Sequence, residues 1–158
     1  MAIEIEHKFL LANDDWREQV SHSSHYKQGY LTSDAHSSVR VRIANDKAWL
    51  NIKSATIGTQ RQEYEYPIPP TDADEILSTL CHKPLVEKVR HFVTYEKHLW
   101  EIDEFSGDNE GLIVAEIELS AIGEDFSKPS WLGLEVTEDV RYYNNMLSKQ
   151  PYSSWKDT

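Results

Sequence analysis

The sequence predicts a mainly β fold, α+β in detail, built from antiparallel strands whose charges gather on one face. Two observations predict it. Seven runs alternate charged with branched or aromatic apolar residues at the period of two that an extended strand imposes, and short turn-like links separate several neighbouring runs. Charges in phase on so many strands must collect on one side of whatever sheet those strands build. A flat sheet with one wet face satisfies the pattern, and so does a closed barrel lined with charge.

The chain opens with Ile3-Glu4-Ile5-Glu6-His7-Lys8, a strand expected near 3–10 that turns Glu4, Glu6 and Lys8 one way and Ile3 and Ile5 the other. Asn13-Asp14 predicts a helix cap, with the helix reaching about Val20. Strands follow near 26–32, 38–44 and 47–54. The second puts Arg40 and Arg42 in phase, and the third does the same for Asn51 and Lys53. Asn45-Asp46 stands between them at hairpin spacing. Arg61, Glu63 and Glu65 share one face of a strand near 61–68. Thr71-Asp72-Ala73-Asp74 reads as a variant capping box opening a helix whose apolar stripe is Ile76, Leu77 and Leu80.

Strands near 86–95, carrying Lys88 and Arg90, and 98–105, carrying Glu101 and Asp103, meet at Lys97-His98. A longer turn from Ser106 to Gly111 leads to a strand near 112–121 with Glu116 and Glu118 in phase. That makes eight strands. A third helix is expected over about Tyr142 to Leu147, capping one end of the sheet with Arg141 or Lys149 turned inward. Opposite the charges run Ile3, Ile5, Val39, Val41, Leu50, Ile52, Val89, Val93, Trp100, Ile102, Ala115, Ile117 and Leu119, an apolar surface for the helices to cover.

A chain of 158 residues fits one domain, expected over 1–158, and no linker, low-complexity tract or repeat divides it. The N-terminus lacks a basic and apolar leader, and no apolar stretch approaches the ~20 residues of a membrane helix. A cytoplasmic protein is the expectation. An outer-membrane barrel would also be polar inside and apolar outside. Most of the strands, however, are shorter than the ~9–11 residues that span a bilayer, and Gln62, His91 and Glu104 fall on the face that would meet lipid.

The single Cys81 excludes an internal disulfide and a cysteine zinc cluster. None of the seven histidines stands at a metal-binding helical spacing. Gly107 to Gly111 lacks the lysine of a phosphate loop, and no Gly-x-Ser-x-Gly elbow occurs. The net charge of −11 argues for solubility and against nonspecific nucleic-acid binding. The in-phase set is nearly balanced, with seven cations and eight carboxylates, so the excess acid lies elsewhere.

Inside a barrel these fifteen charges would have to be wet, paired or completed by ligands, because each unpaired buried ion costs several kcal/mol. The carboxylates Glu4, Glu6, Glu63, Glu65, Glu101, Asp103, Glu116 and Glu118 are hard oxygen donors, suited to Mg²⁺ or Mn²⁺ rather than zinc. Arg40 with Arg42, and Lys88 with Arg90, are i, i+2 pairs roughly 6.5–7 Å apart along a strand, a separation at which neighbouring phosphoryl groups can be gripped. Cations and metal-binding carboxylates in one cavity point to a polyanion that arrives with its metal, most simply a phosphoanhydride. An interior of mutual salt bridges without function is the alternative, although aliphatics fill a stability-driven core better.

Glu4-Ile5-Glu6-His7-Lys8 matches the Glu-x-Glu-x-Lys signature of the CYTH superfamily of triphosphate tunnel metalloenzymes. The likeness continues in order through Gln28-Gly29-Tyr30-Leu31, Ser38 to Ile43, Asn51-Ile52-Lys53, Arg61 to Tyr66, Trp100 to Phe105, Ala115 to Leu119 and Trp131 to Thr137. The chain most resembles the small bacterial inorganic tripolyphosphatases. His7 stands where Arg is common, at a position facing away from the charges.

The resemblance implies an eight-stranded antiparallel tunnel, a closed β-barrel with a charged lumen flanked by a few α-helices. It also implies metal-dependent hydrolysis of a triphosphate, with inorganic tripolyphosphate the leading substrate. Other readings are thiamine triphosphatase or another organic triphosphate hydrolase, a class IV-type adenylyl cyclase, and a noncatalytic polyphosphate- or nucleotide-binding module. Stacking an organic group needs an aromatic at the mouth, for which Tyr26, Tyr30 and Trp49 are candidates. By the same resemblance Glu4, Glu6, Glu116 and Glu118 are metal ligands, with Glu63, Glu65 and Asp103 completing the shell or orienting its water. Lys8, Arg40, Arg42, Lys53, Arg61, Lys88 and Arg90 form the phosphate clamp. Lys8, Glu4 and Glu6 are the expected catalytic residues, Lys8 assisting either the water or the leaving phosphate. The expected partner is a small-molecule triphosphate, with no nucleic acid or membrane, and a homodimer is left open.

Overall fold

A computed structural model of the chain describes residues 3–155. Eight strands form the barrel: β1 (Ile3–Leu11), β2 (Val20–Ser33), β3 (Ser37–Ala44), β4 (Lys47–Ser54), β5 (Gln60–Ile68), β6 (Val86–Tyr95), β7 (His98–Phe105) and β8 (Ile113–Leu119). They run β5-β4-β3-β2-β6-β7-β8-β1, all antiparallel, and a β1–β5 pairing closes the ring. A ninth short strand, β9 (Leu132–Glu135), lies outside the ring on β1. Helices α1 (Pro70–Thr79) and α2 (Asn144–Lys149) and short 3-10 turns complete the structure. Closure settles the choice that alternation left open, because the in-phase charges now line an interior.

The two edges of β1 are treated differently. Against β8 it pairs from Ile5↔Leu119 to Leu10↔Val114, whereas β5 holds it only from Ile3↔Gln62 to Ile5↔Gln60. Further along the same edge β9 takes over at Phe9 and Leu11. In the gap the Glu6 N–H donates to the Thr59 carbonyl at 2.8 Å, and the Lys8 N–H donates to Thr137 Oγ1 at 3.0 Å. The Val136 N–H donates in turn to the Lys8 carbonyl at 2.8 Å. These contacts satisfy buried main-chain groups that the ladder leaves unpaired. Gly133 permits the approach of β9, since a Cβ there would stand 2.9 Å from the Leu10 carbonyl oxygen.

With charge inside, the apolar face points outward and must be covered. One cluster joins Ile5, Phe9, Val93, Trp100, Ile102 and Ile117 to Trp16 and Trp131. Trp16 arrives on a 3-10 helix, Asp15–Gln19, clipped to the wall by Arg17 in a two-pronged bond to Glu104 at 3.1 and 3.2 Å. Glu104 also meets His91 at 3.1 Å. In a second cluster α1 lays Ala73 and Leu77 on Val41 and Ala48. The third gathers Val86, Phe105, Leu112 and Val114 around Leu147 of α2. Each such aliphatic contributes about 1.5–3 kcal/mol when fully buried, so the wall is stabilised from outside.

Several expectations are corrected. The helix predicted from Asn13-Asp14 to Val20 is a 3-10 turn, and Val20 already begins β2, which starts well before residue 26. Its partner β6 pairs with it from Val20↔Val93 and fixes the polar stretch Ser21 to His25 as strand. Thr71 does not cap α1, whose first residue is Pro70, a residue pre-set for a first helical turn. Leu80 is 62% exposed just past the end of α1, and Ala73 joins Leu77 in the buried stripe instead. The third helix, expected over about Tyr142 to Leu147, is present as α2, shifted to Asn144–Lys149 and preceded by a 3-10 turn, Val140–Tyr142. Arg141 pairs with Asp139 at 2.7 Å and Lys149 donates to the Ser33 carbonyl at 3.0 Å, so neither turns inward. Ile3, on the apolar face, is 48% exposed. Among the described residues no helix is long and apolar enough to cross a membrane.

Candidate active site

The lumen is a cavity of about 280 Å³ lined almost wholly by polar groups. Strand alternation delivers them: Glu4, Glu6 and Lys8 from β1, Arg40 and Arg42 from β3, Lys53 from β4, and Arg61, Glu63 and Glu65 from β5. From the remaining strands come Lys88 and Arg90 of β6, Glu101 of β7, and Glu116 and Glu118 of β8. Thus seven cations and seven carboxylates converge, fourteen of the fifteen in-phase charges. The exception is Asp103. Fully buried, it accepts from Lys88 Nζ at 2.7 Å and from Arg90 Nε and Nη2 at 2.8 and 2.9 Å. Both of its oxygens face cations behind the cavity wall.

The two signs are unevenly arranged. Lys8 bridges Glu116, at 2.5 Å, and Glu6, at 3.2 Å. Lys53 reaches Glu63 at 3.1 Å and Glu4 at 3.5 Å, and Arg61 reaches both Glu4 and Glu6 at 3.5 Å. Arg90 touches Glu101 at 3.3 Å and Glu116 at 3.4 Å. Arg40 is looser: Glu63 is 4.0 Å away, and its buried Nε finds no acceptor among the described residues. Among the described residues Arg42 makes no ion pair with a carboxylate, and it donates from Nε to Gln28 Oε1 at 2.9 Å. Glu65 accepts from Asn51 Nδ2 at 2.8 Å.

Titration behaviour follows this arrangement. Burial pushes Glu6 up, aided by Glu116 and Glu4 and opposed by Lys8. Partial burial and the carboxylates of Glu4, Glu6 and Glu101 push Glu118 up to about 7. Glu101 rises too, chiefly from burial that Arg90 only partly offsets. Burial would also raise Glu116, but Lys8, Arg90 and Lys88 outweigh it and hold that carboxyl well below the usual range. Lys8 is raised, because Glu116 and Glu6 overcome its desolvation. On the opposite side, burial lowers Lys88 to about 7, with Arg90 and Arg42 adding to what Asp103 cannot offset. Burial and the cations Arg40 and Arg90 bring Arg42 down to about 10. One part of the lumen therefore holds surplus negative charge and the other surplus positive charge.

The raised carboxylates mark where negative charge is crowded, and an all-carboxylate donor set fits a hard divalent ion. Among the described residues no three acidic, histidine or cysteine side chains already stand close enough to enclose an ion. The ion pairs explain this, since Lys8, Lys53 and Arg61 stand between the carboxylates. The positive part suits an anion with several oxygens.

Alternation did not reveal the uncharged lining. Tyr26, Gln28 and Tyr30 share the inward face of β2, where no formal charge advertised it, and Gln28 is fully buried. Tyr143, Asn144 and Asn145 close one side of the cavity from the C-terminal segment. Asn144 Oδ1 accepts from Lys88 Nζ at 2.9 Å and Gln28 Nε2 at 2.8 Å. Tyr143 donates to the Thr137 carbonyl at 2.7 Å and lies 5.1 Å from Arg61. Tyr143, Asn144 and Asn145 fall within the capping helix expected over about Tyr142 to Leu147, but charge alternation along the strands does not single out their side chains. Trp49 pairs with Arg42 across β3 and β4 but does not line the cavity.

Residues 2–151 match the CYTH domain. The chain is 47% identical to an inorganic triphosphatase of Acetivibrio thermocellus over 99% of its own length and 100% of the relative's. It is 36% identical to an inorganic triphosphatase of Nitrosomonas europaea, covering 92% of this chain and 96% of the other. The crystal structure of the inorganic triphosphatase NE1496 superposes with a TM-score of 0.66 at 33% identity, covering 92% of this chain and 97% of that one. With the closed, charge-lined barrel that the strands build, these likenesses show that the chain belongs to the CYTH domain family.

Proposed function

We propose that this tunnel, a single domain over 1–158, hydrolyses inorganic triphosphate to orthophosphate and pyrophosphate with a divalent cation, Mg²⁺ or Mn²⁺. The observation that carries the reading is the convergence of seven cations and seven carboxylates on one small cavity, surplus positive and negative charge being separated within it. Relatives named as inorganic triphosphatases support the choice of substrate. In this reading Glu4, Glu6, Glu116 and Glu118 hold the metal, with Glu63 and Glu65 beside them. A divalent cation held there supplies charge neutralisation for the phosphoryl oxygens and acidifies a nearby water.

The chain's own residues position the substrate. Arg40 and Arg42 of β3, with Lys88 and Arg90 of β6 on the other side of the intervening strand β2, grip phosphoryl oxygens. Arg61 and Lys53 extend the clamp toward the carboxylates. Water attacks the terminal phosphorus, the anhydride P–O bond breaks, and pyrophosphate leaves with the bonding pair. Glu116 and Glu6 keep Lys8 protonated at neutral pH, which makes it a cation for the charge developing on the leaving oxygens rather than a base. Asp103 serves as the fixed counter-charge that orients Lys88 and Arg90.

Phosphate release from tripolyphosphate, thiamine triphosphate and ATP, each with Mg²⁺ and with Mn²⁺, tests the proposal. Fastest metal-dependent release from tripolyphosphate is the expected result. Tight binding without metal-stimulated release from any of the three would make the chain a binding module instead.

A further inference from the structure

The phosphate-facing cations share an uncharged neighbour. Arg42 Cζ lies 4.8 Å from the centroid of the Tyr26 ring, Arg90 Cζ 5.0 Å and Lys88 Nζ 6.0 Å. All three distances fall within the ~6 Å over which the negative face of an aromatic ring attracts a cation. The three also repel one another: Arg90 and Arg42 both depress Lys88, and Arg90 depresses Arg42. Asp103 pairs directly with two of them, Lys88 and Arg90. Among the described residues no carboxylate pairs directly with Arg42, whose guanidinium meets Gln28 and the Tyr26 ring. Tyr26 is therefore placed where a small π surface offsets the repulsion in a cluster that must stay charged and open to an anion.

We propose that Tyr26 is a positioning residue of the tunnel, its ring holding Arg42, Arg90 and Lys88 for the phosphoryl oxygens of any triphosphate. This rests on the proposed function above and deepens it. With three cations already against its ring, Tyr26 is engaged by the clamp and is not assigned to stacking an organic group. It serves the triphosphate moiety alone, which is common to inorganic and organic substrates. A carboxylate in its place would also gather the cations but would compete with the ligand for them.

The test is calorimetric titration of tripolyphosphate and of ATP, without metal, into wild-type protein, Y26F and Y26L, together with KM and kcat for tripolyphosphate hydrolysis with Mg²⁺. Y26L is expected to weaken both ligands by the same factor, about tenfold, the size of one to two cation–π contacts. It is also expected to raise KM while kcat stays within about threefold. Y26F, which keeps the ring, recovers most of the loss. Should Y26L fail to show a cooperative thermal transition, Y26M takes its place, of similar length and without a ring face. Unchanged affinity in Y26L overturns the proposal. So does a Y26F loss equal to that of Y26L, which would assign the work to the hydroxyl, and so does a larger loss for ATP than for tripolyphosphate, which would assign stacking. Failure of the wild-type protein to bind tripolyphosphate at all strikes the proposed function itself.

Discussion

Replacing Asp103 by Asn tests whether this carboxylate anchors cations or holds metal. The side chain is fully buried and accepts three charge-assisted hydrogen bonds, one from Lys88 and two from Arg90. Removing one partner of a buried ion pair typically costs about 3–5 kcal/mol, because the other charge is left without compensation. Arg90 keeps Glu101 at 3.3 Å and Glu116 at 3.4 Å, which places the expected loss at the lower end, about 3 kcal/mol. For a chain of this size that lowers Tm by roughly 6–12 °C. The pH dependence has a defined sign. Arg90 and Lys88 outweigh burial and depress Asp103 below its ordinary value of 3.8, so its stabilisation is complete above that value and lost as pH falls through the lower folded-state pKa. The wild-type protein should show this acid limb and the variant should lack it. Differential scanning calorimetry from pH 3 to 7, paired with Mg²⁺ titration calorimetry, supplies both readouts. An unchanged Tm together with a tenfold loss of Mg²⁺ affinity would refute the reasoning and return Asp103 to the metal.

Glu4→Gln should cut tripolyphosphate turnover sharply at saturating metal with Tm unchanged or higher, since it removes a carboxylate rather than packing; full activity would withdraw Glu4 from the metal set. In chelator-treated protein Glu118 is protonated up to about pH 7 while the unfolded chain has already lost the proton near 4.5. Stability should therefore decline as pH rises between those values and level off above them, and E118Q should flatten the decline in a Tm-against-pH series. Thr137→Val should cost about 2 kcal/mol by stranding the buried Lys8 N–H. Thermal unfolding measures that loss, and Thr137→Ser, which keeps the hydroxyl, should restore most of it.

Legibility in the sequence followed the strength of alternation. Strands β3, β6 and β7 carry charges against aliphatics at every second position, and period-two reading located them to within a residue. Closure was different, because a wet sheet face and a tunnel lining have the same pattern, and only the β1–β5 pairing distinguishes them. The first half of β2, Ser21 to His25, is polar on both faces and is strand because β6 supplies its ladder. β9 spans four residues and owes its form to the edge of β1 that β5 leaves open. The same limits apply to the site. In-phase charge brought fourteen residues to the cavity, but alternation cannot tell a residue facing open space from one locked behind the wall, as Asp103 is. Nor could it reach Asn144 or Tyr143: the expected capping helix located this segment, but which of its side chains enter the lumen is set by tertiary packing.

The central claim is a metal-dependent triphosphatase centred on the lumen, and the most direct measurement is orthophosphate release from tripolyphosphate as Mg²⁺ is titrated into chelator-treated protein. The account predicts no release without metal and a saturable rise with it, lost in Glu4→Gln. Equal release with and without metal, or none under either condition, would contradict it.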